Sequence, residues 1–345
     1  MGILQASVSQ VLHDPVTGRR GLLRISLSGG LAALAPTIAA SAAEPGKALP
    51  VDAAVPMPPL PIVDARFPAE MAPGVFIVPD KRVFLVPNVG IIVGRESVLV
   101  IDSGFEPESG ESLLKLARRL APGRQIILTV THAHPEHCFG AQAFKPDAHI
   151  YYNAAQRDYL ARAGATLRDG FRAHVLPPER SYLLDGVVLT PPDQVYDGNR
   201  ATLDLGGRQV EFRTWGTAHS PGDQIVYLPA ERIVFSGDLI EERMFPIVPF
   251  FPPMIQAKDI DAARWEMALN EMFALQPRLI VPGHGNLGGP EIATDVLEYL
   301  KTARTLFQTA KVSDDVLDQR MRALHPTWEH SEFIPPARRY FSLAA

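Results

Sequence analysis

Cysteine is nearly absent from this chain: its 345 residues include one, Cys138. No disulfide scaffold can therefore form within it. A basic excess is missing too. Against 38 acidic residues there are 33 basic ones, a net charge of −5, which argues against a nucleic-acid surface. The apolar stretch from Ile25 to Ile38 is interrupted by glycine and serine. It falls short of the roughly 20 residues that span a bilayer. Proline, by contrast, is plentiful at 32 residues, about 9% against a usual ~5%. Irregular, proline-shaped loops are expected. With 46% hydrophobic residues the chain can bury a substantial core, as one large domain or two ordinary ones.

Residues 1–43 read as an address. The pair Arg19-Arg20 precedes a modest apolar stretch, and the small-residue run 39–43 precedes Glu44. Those three parts in that order make a twin-arginine signal. The chain is thus expected to use the twin-arginine machinery, without a membrane span, and to reside in the periplasm or otherwise outside the cytoplasm. Residues 44–62 hold six prolines and read as an extended linker. A catalytic domain is expected over 63–310 and a C-terminal extension over 311–345.

Short β-branched runs bounded by turn residues dominate the domain. Strands are expected at 75–78, 83–86, 90–93, 98–101, 125–130 and 150–152, and again at 201–205, 209–214, 224–228, 232–236 and 279–281. Helices are expected around Leu113–Leu120, Ala154–Ala163, from Asp259 as N-cap through Phe273, and over Ile292–Phe307. Residues 175–199 show no period and read as an ordered insertion or long loop. Two β-rich halves with helices imply a layered α/β arrangement, sheet on sheet with helices outside.

The chemistry is concentrated where apolar runs end. His132-Ala133-His134-Pro135-Glu136-His137 follows a buried strand, and strand alternation sends His132 and His134 to one side. Pro135 can bend Glu136 and His137 back towards them. Three imidazoles and one carboxylate suit zinc or iron better than magnesium or calcium. Three further pieces follow: Thr217-Ala218-His219-Ser220-Pro221-Gly222-Asp223, Ser236-Gly237-Asp238 and Pro282-Gly283-His284-Gly285. Each sets a potential ligand beside glycine or proline at a strand end, where the backbone can turn sharply. Cys138, next to His137, is expected as a small buried thiol. His325 and His330 lack a shared helical face, and His149 and His174 read as surface or loop residues. Residues 244–255 carry almost no charge and are broken by prolines. They form either an apolar wall beside the site or a contact surface.

With Val100-Ile101-Asp102-Ser103-Gly104 added, this ordered set resembles the metallo-β-lactamase superfamily over roughly residues 75–290. The resemblance implies a four-layer αββα sandwich with a dinuclear metal site at one edge of its sheets. By position, His132, His134 and His219 would hold the first metal. Glu136, His137 and His284 would hold the second, with Asp238 bridging. Asp102 resembles the family's acid that orients a ligand histidine. Glu136 departs from the pattern, which usually has Asp there. Asp238 separates the chain from β-lactamases with a cysteine ligand and looks closer to glyoxalase II, lactonases and methyl parathion hydrolase.

The implied activity is that of an exported hydrolase with two divalent cations, zinc by expectation. A metal-bound hydroxide would cleave an ester, thioester, lactone or β-lactam of a small, apolar substrate, with Asp238 and Glu136 as the catalytic carboxylates. Two rivals share the fold. One is a mononuclear iron oxygenase resembling persulfide dioxygenases. The other is a non-catalytic accessory protein of a periplasmic sulfur-oxidation or quinoprotein pathway.

Overall fold

The computed structural model describes residues 58–343. The leader expected over 1–43, and all but the last few residues of the 44–62 linker, lie outside the described residues. The first sheet and its helices run in chain order through β1 (Ala69–Ala72), β2 (Val75–Val78), β3 (Val89–Val93), β4 (Ser97–Ile101), α1 (Pro107–Leu120), β5 (Gln125–Thr129), α2 (Pro135–Cys138), β6 (Ala148–Asn153), α3 (Ala154–Gly170) and β7 (Gln194–Tyr196). The strands lie side by side in that order, antiparallel up to β4 and parallel from β4 to β7. The second half follows with β8 (Arg200–Asp204), β9 (Gln209–Thr217), β10 (Pro221–Leu228), β11 (Ile233–Glu241), α4 (Ala262–Phe273), β12 (Leu279–His284), α5 (Pro290–Thr309), α6 (Asp314–Leu324) and α7 (Ile334–Leu343). Its sheet has the order β12-β11-β10-β9-β8, with β11 and β12 parallel and the other pairs antiparallel.

Three apolar clusters define the layers. Val75, Ile77, Leu99 and Ile101 of the first sheet meet Phe212, Val226 and Phe235 of the second in the central one. Leu113 and Ala117 of α1 and Leu160 and Leu167 of α3 cover the outer face of the first sheet. Trp265 and Leu269 of α4, with Val296 and Leu300 of α5, cover the second. Helix, sheet, sheet, helix is the αββα sandwich that the sequence leads one to expect. Among the described residues no helix is long and apolar enough to cross a membrane.

Local chemistry fixes the helix starts. Glu106 accepts from the backbone N–H groups of Glu108 (2.6 Å) and Ser109 (2.8 Å), and Pro107 opens α1, so two otherwise unpaired donors are satisfied. Asn153 and Gln156 form a reciprocal capping box on α3. The helix expected to be capped by Asp259 is capped two residues later. Asp261 is its cap, accepting from Arg264 N at 2.9 Å, while Asp259 belongs to the preceding 3-10 turn.

Two other expectations change. Residues 83–86 pair with no strand. Pro79 and Pro87 bracket the segment, and Lys81, Arg82 and Leu85 adopt left-handed backbone angles (φ 51°, 54° and 62°), which break a ladder. The 175–199 stretch is ordered by short turns over Phe171–Val175 and Pro178–Leu184 and by edge strand β7. Residues 311–343 fold back on the domain: Ala337 and Phe341 of α7 join the same buried cluster as Leu300, Ala303 and Phe307 of α5.

Candidate metal centre

Buried strands deliver the chemistry to one edge. β5 ends at Thr129, and Val130 and Thr131 lead into His132, followed by the single turn of α2 with Pro135 in its first position. β11 carries Asp238 and β12 carries His284, and these two strands run parallel and adjacent. Close approach here requires glycine. A Cβ on Gly283 would lie 1.9 Å from Asp238 Oδ1, and one on Gly237, at φ +52°, would lie 2.5 Å from the Thr131 Cβ. His219 sits in the β9–β10 turn. Asp223 closes that turn by accepting from Ala218 N (3.2 Å), Ser220 N (2.8 Å) and Ser220 Oγ (2.7 Å). Burial pushes the Asp223 carboxyl up to about 7.

The structure brings all seven expected side chains together, every one of them buried. They form two groups: His132, His134, His219 and Asp238; and Glu136, His137, Asp238 and His284. Within each, one ligand atom per residue lies within 4.8 Å of the others. Asp238 belongs to both. Its Oδ1 lies 3.3 Å from His137 Nε2 and 3.7 Å from His284 Nε2. Its Oδ2 lies 3.6 Å from His132 Nε2 and 3.7 Å from His219 Nε2.

The outward ring nitrogens are held. His137 Nδ1 donates to Asp102 Oδ2 (2.9 Å), His219 Nδ1 to the Ile247 carbonyl (3.0 Å) and His284 Nδ1 to the Val86 carbonyl (3.0 Å). Each bond assigns the proton to Nδ1 and leaves the Nε2 lone pair facing inward. His132 Nδ1 contacts Thr131 Oγ1 at 3.2 Å. His134 faces the other way, with Nδ1 3.1 Å from His219 Nε2. Two lone pairs at that separation repel unless a cation or a proton lies between them.

The electrostatics of the first group agree with ligation, whereas His137 in the second is drawn towards its protonated form, whose Nε2 proton a cation would have to displace. Burial drives His132 and His134 well below the usual imidazole range and His219 down to about 4. These rings are neutral, lone-pair donors at neutral pH. Burial also acts to lower His137, but the charges of Asp238 and Asp102 outweigh it and raise this ring well above that range. For Asp238, burial acts upward, yet His137, His284 and His132 bring it well below the carboxylate range. Burial pushes Glu136 up.

The test of fit lies in the orphans. His132 Nε2, His137 Nε2, Glu136 Oε2 and both oxygens of Asp238 are buried without a hydrogen-bond partner among the described residues. So many unmatched polar atoms in one place would cost several kcal/mol in total (about 1–3 each). Divalent cations match them: imidazole nitrogens and carboxylate oxygens are a fitting donor set, and the two groups fit a dinuclear site.

Glu136 therefore reaches the second group despite its extra methylene. Glu136→Asp shortens that reach by about one bond. Activity is expected to stay within about tenfold of the parent while affinity for the second metal falls about 10-fold, read by metal titration beside turnover.

Sequence reasoning missed the supports and the C-terminal part of the wall, while residues 244–255 were expected as a wall or a contact surface. Asn88 Nδ2 donates to the carbonyls of Pro282 (3.0 Å) and Gly285 (2.9 Å), and Asp80 accepts from Gly285 N (2.8 Å). Together they fix the His284 turn. Glu241 is buried three residues after Asp238, and its place at the end of the fully buried strand β11 was a signal available for it. A cavity of about 690 Å³ opens beside His134, Glu136, Asp238 and His284. Residues 244–255 supply much of its wall, as does Phe333. His174 is exposed, as expected, yet it and His330 both line the opening. Cys138 is buried and burial raises its thiol well above the usual range. His149 contacts Gln194 and His325 stacks on Trp328, both away from the centre.

Comparison with known proteins accords with this geometry. A family model described as the metallo-beta-lactamase superfamily matches residues 82–284. A metallo-beta-lactamase type 2 of Bacteroides fragilis is 29% identical over 93 residues, covering 26% of this chain and 35% of that protein. The 2,4-dinitroanisole O-demethylase subunit alpha of a Nocardioides strain is 24% identical over 196 residues, 56% of this chain and 51% of the relative. The chain thus spans about a third to a half of the length of these curated relatives. Among solved structures, a metallo-beta-lactamase from Pontibacter korlensis superposes with a TM-score of 0.52 at 19% identity, covering 68% of this chain and 98% of that one. A double mutant of the sec-alkyl sulfatase PisA1 gives 0.59 at 15% identity, covering 80% and 50%.

Proposed function

The chain belongs to the metallo-beta-lactamase superfamily, and we propose that it is a metal-dependent hydrolase that cleaves an acyl bond with two zinc ions held by the seven buried side chains. The acyl bond is that of an ester, thioester, lactone or β-lactam. The relatives named above are a β-lactamase, an O-demethylase and a sulfatase, so the bond follows from no single name. One observation carries the reading: four ligand atoms in each of two buried groups share Asp238.

When bound, the two cations would supply a water ionised at neutral pH and a charge that polarises the scissile carbonyl. The chain's own residues do the rest. Asp102, Ile247 and Val86 hold three imidazoles in one tautomer and one orientation. Asp238 ties the two halves of the centre together. Glu136 is a buried carboxyl beside the reacting groups and relays a proton to the departing heteroatom. Overall, water divides across the scissile bond: its oxygen joins the acyl carbon, and the alcohol, thiol or amine heteroatom freed by the cleavage takes a proton, as a separate product or, from a lactone or β-lactam, on the opened ring.

A mononuclear iron oxygenase would use only the first group. The complete second group of Glu136, His137, Asp238 and His284 favours two metals instead. Residues 1–43 are proposed as a twin-arginine leader, so that the enzyme would work in the periplasm or otherwise outside the cytoplasm. The test is metal analysis of protein recovered from the periplasmic fraction, followed by assay on esters, thioesters, lactones and β-lactams. Two metals per chain and turnover of at least one class are expected. A single iron with oxygen consumption, or two metals with no hydrolysis at all, would remove the proposal.

A further inference from the structure

His219 is oriented by a different kind of partner from His137. His137 Nδ1 donates to Asp102, a carboxylate that Thr131 itself fixes. His219 Nδ1 donates to the carbonyl of Ile247 (3.0 Å), and Ile247 belongs to the proline-broken wall of the cavity. Such a segment orients a ring only if something holds it in turn. Pro246 and Pro249 flank this stretch without an N–H to offer, and residues 246–249 lie in no strand or helix. Further on, Phe250 N and Phe251 N bond back within the loop, to the carbonyls of Val248 (2.7 Å) and Pro249 (3.0 Å).

The hold comes from Glu241. It ends β11, the fully buried strand that also carries Asp238, and is itself 1% exposed. Its Oε2 accepts from Ile247 N at 2.6 Å. Ile247 therefore gives its N–H to Glu241 and its carbonyl to His219, and the position of the wall is set from the strand that bears Asp238. The remaining neighbours of His219 offer no substitute. Trp265 meets the ring edge-on, with centroids 5.2 Å apart, and spends its indole N–H on the Leu239 carbonyl (2.9 Å). His219 Nε2 faces His134 Nδ1 at 3.1 Å and Asp238 Oδ2 at 3.7 Å. Without the Ile247 carbonyl, the ring proton would move to Nε2, the nitrogen whose lone pair has to face a cation.

Resting on the two-metal reading above, we infer that Glu241 is a positioning residue for the first metal: through Ile247 it holds His219 in the tautomer and orientation that present Nε2. Glu241 belongs to neither ligand group. It acts by a hydrogen bond to the backbone, so an acceptor of the right reach is what the position requires. Ile247 also lines the cavity, so the wall and a ligand of the first metal share one support.

The experiment is zinc calorimetry on the full chain, with absorption spectra of the cobalt-substituted protein beside it. The binding step that His134→Ala removes identifies the first site. Glu241→Gln keeps an acceptor of the same length and should bind both zinc ions as the parent does. Glu241→Asp keeps the acid but stops about one bond short of Ile247 N. Glu241→Leu keeps the bulk without the acceptor. Both should weaken the first zinc about tenfold, the scale of a lost orienting bond, with the second zinc unchanged and the cobalt spectrum of the first site altered. Should Glu241→Leu fail to fold, Glu241→Asp decides alone. A first zinc held as tightly in either variant as in the parent, or two zinc ions weakened alike, overturns the inference and leaves the hydrolase reading standing. So does a loss in Glu241→Gln equal to that in Glu241→Leu, which would make the acid and not its bond to Ile247 the working part. A parent that binds no zinc overturns both.

Discussion

Asp238→Asn should lower kcat/KM by about a thousandfold or more, the scale seen when a group stabilising charge at a reacting centre is removed. The reason is its double membership. Its two oxygens face two imidazoles each, at 3.3 to 3.7 Å, and both candidate groups contain it. Every other ligand serves one group; losing Asp238 leaves three donors in each. The amide keeps the shape of the side chain, which matters because Gly283 packs directly against it. A folding defect is therefore separable from a ligand defect. Metal content, turnover and thermal unfolding should be measured on the same preparation. Two metals bound and more than about a tenth of the parent activity would show that this carboxylate is dispensable.

Asp102 carries the second large effect, and it acts without touching a metal. Buried at 1% exposure, it accepts from Thr131 N at 2.6 Å and from Thr131 Oγ1 at 3.0 and 3.1 Å, besides orienting His137. Its backbone is left-handed at φ +71°. Asparagine tolerates that conformation better than alanine, so the two substitutions separate chemistry from strain. Asp102→Asn should weaken the second metal about 10- to 100-fold, as lost ligand orientation does. Asp102→Ala should add a stability loss of about 3–5 kcal/mol by leaving buried donors unmatched. Calorimetry of zinc binding and denaturant unfolding read the two separately. If Asp102→Asn binds two metals as tightly as the parent, His137 does not need this acid.

The seven candidate ligands were legible because each lies in a short segment that holds a glycine or proline at the end of a buried strand. His132 to His137 announce themselves by density, and Asp238 and His284 by the apolar runs before them. The layered fold was legible for the same reason, since its strands are short, β-branched and cleanly bounded. Residues 83–86 misled because their apolar run fits a strand, while the left-handed turns at Lys81, Arg82 and Leu85 leave little trace in residue type. The cavity was mostly illegible. Phe333 and His330 reach it from some two hundred residues beyond the first histidine of the centre, through packing of α7 on α5 that no local period encodes. Asn88 and Asp80, which hold the His284 turn by hydrogen bonds across the chain, are equally silent in sequence.

The last segment of the chain has a practical bearing on how preparations behave. Every one of the seven candidate ligands has been synthesised by His284, whereas Phe333 and Arg339 complete the opening only later. A polypeptide clipped before α7 would thus keep all seven candidate ligand side chains but lack one side of its entrance. Proteolytic heterogeneity would then surface as a curved saturation plot, a blend of tight and loose Michaelis constants.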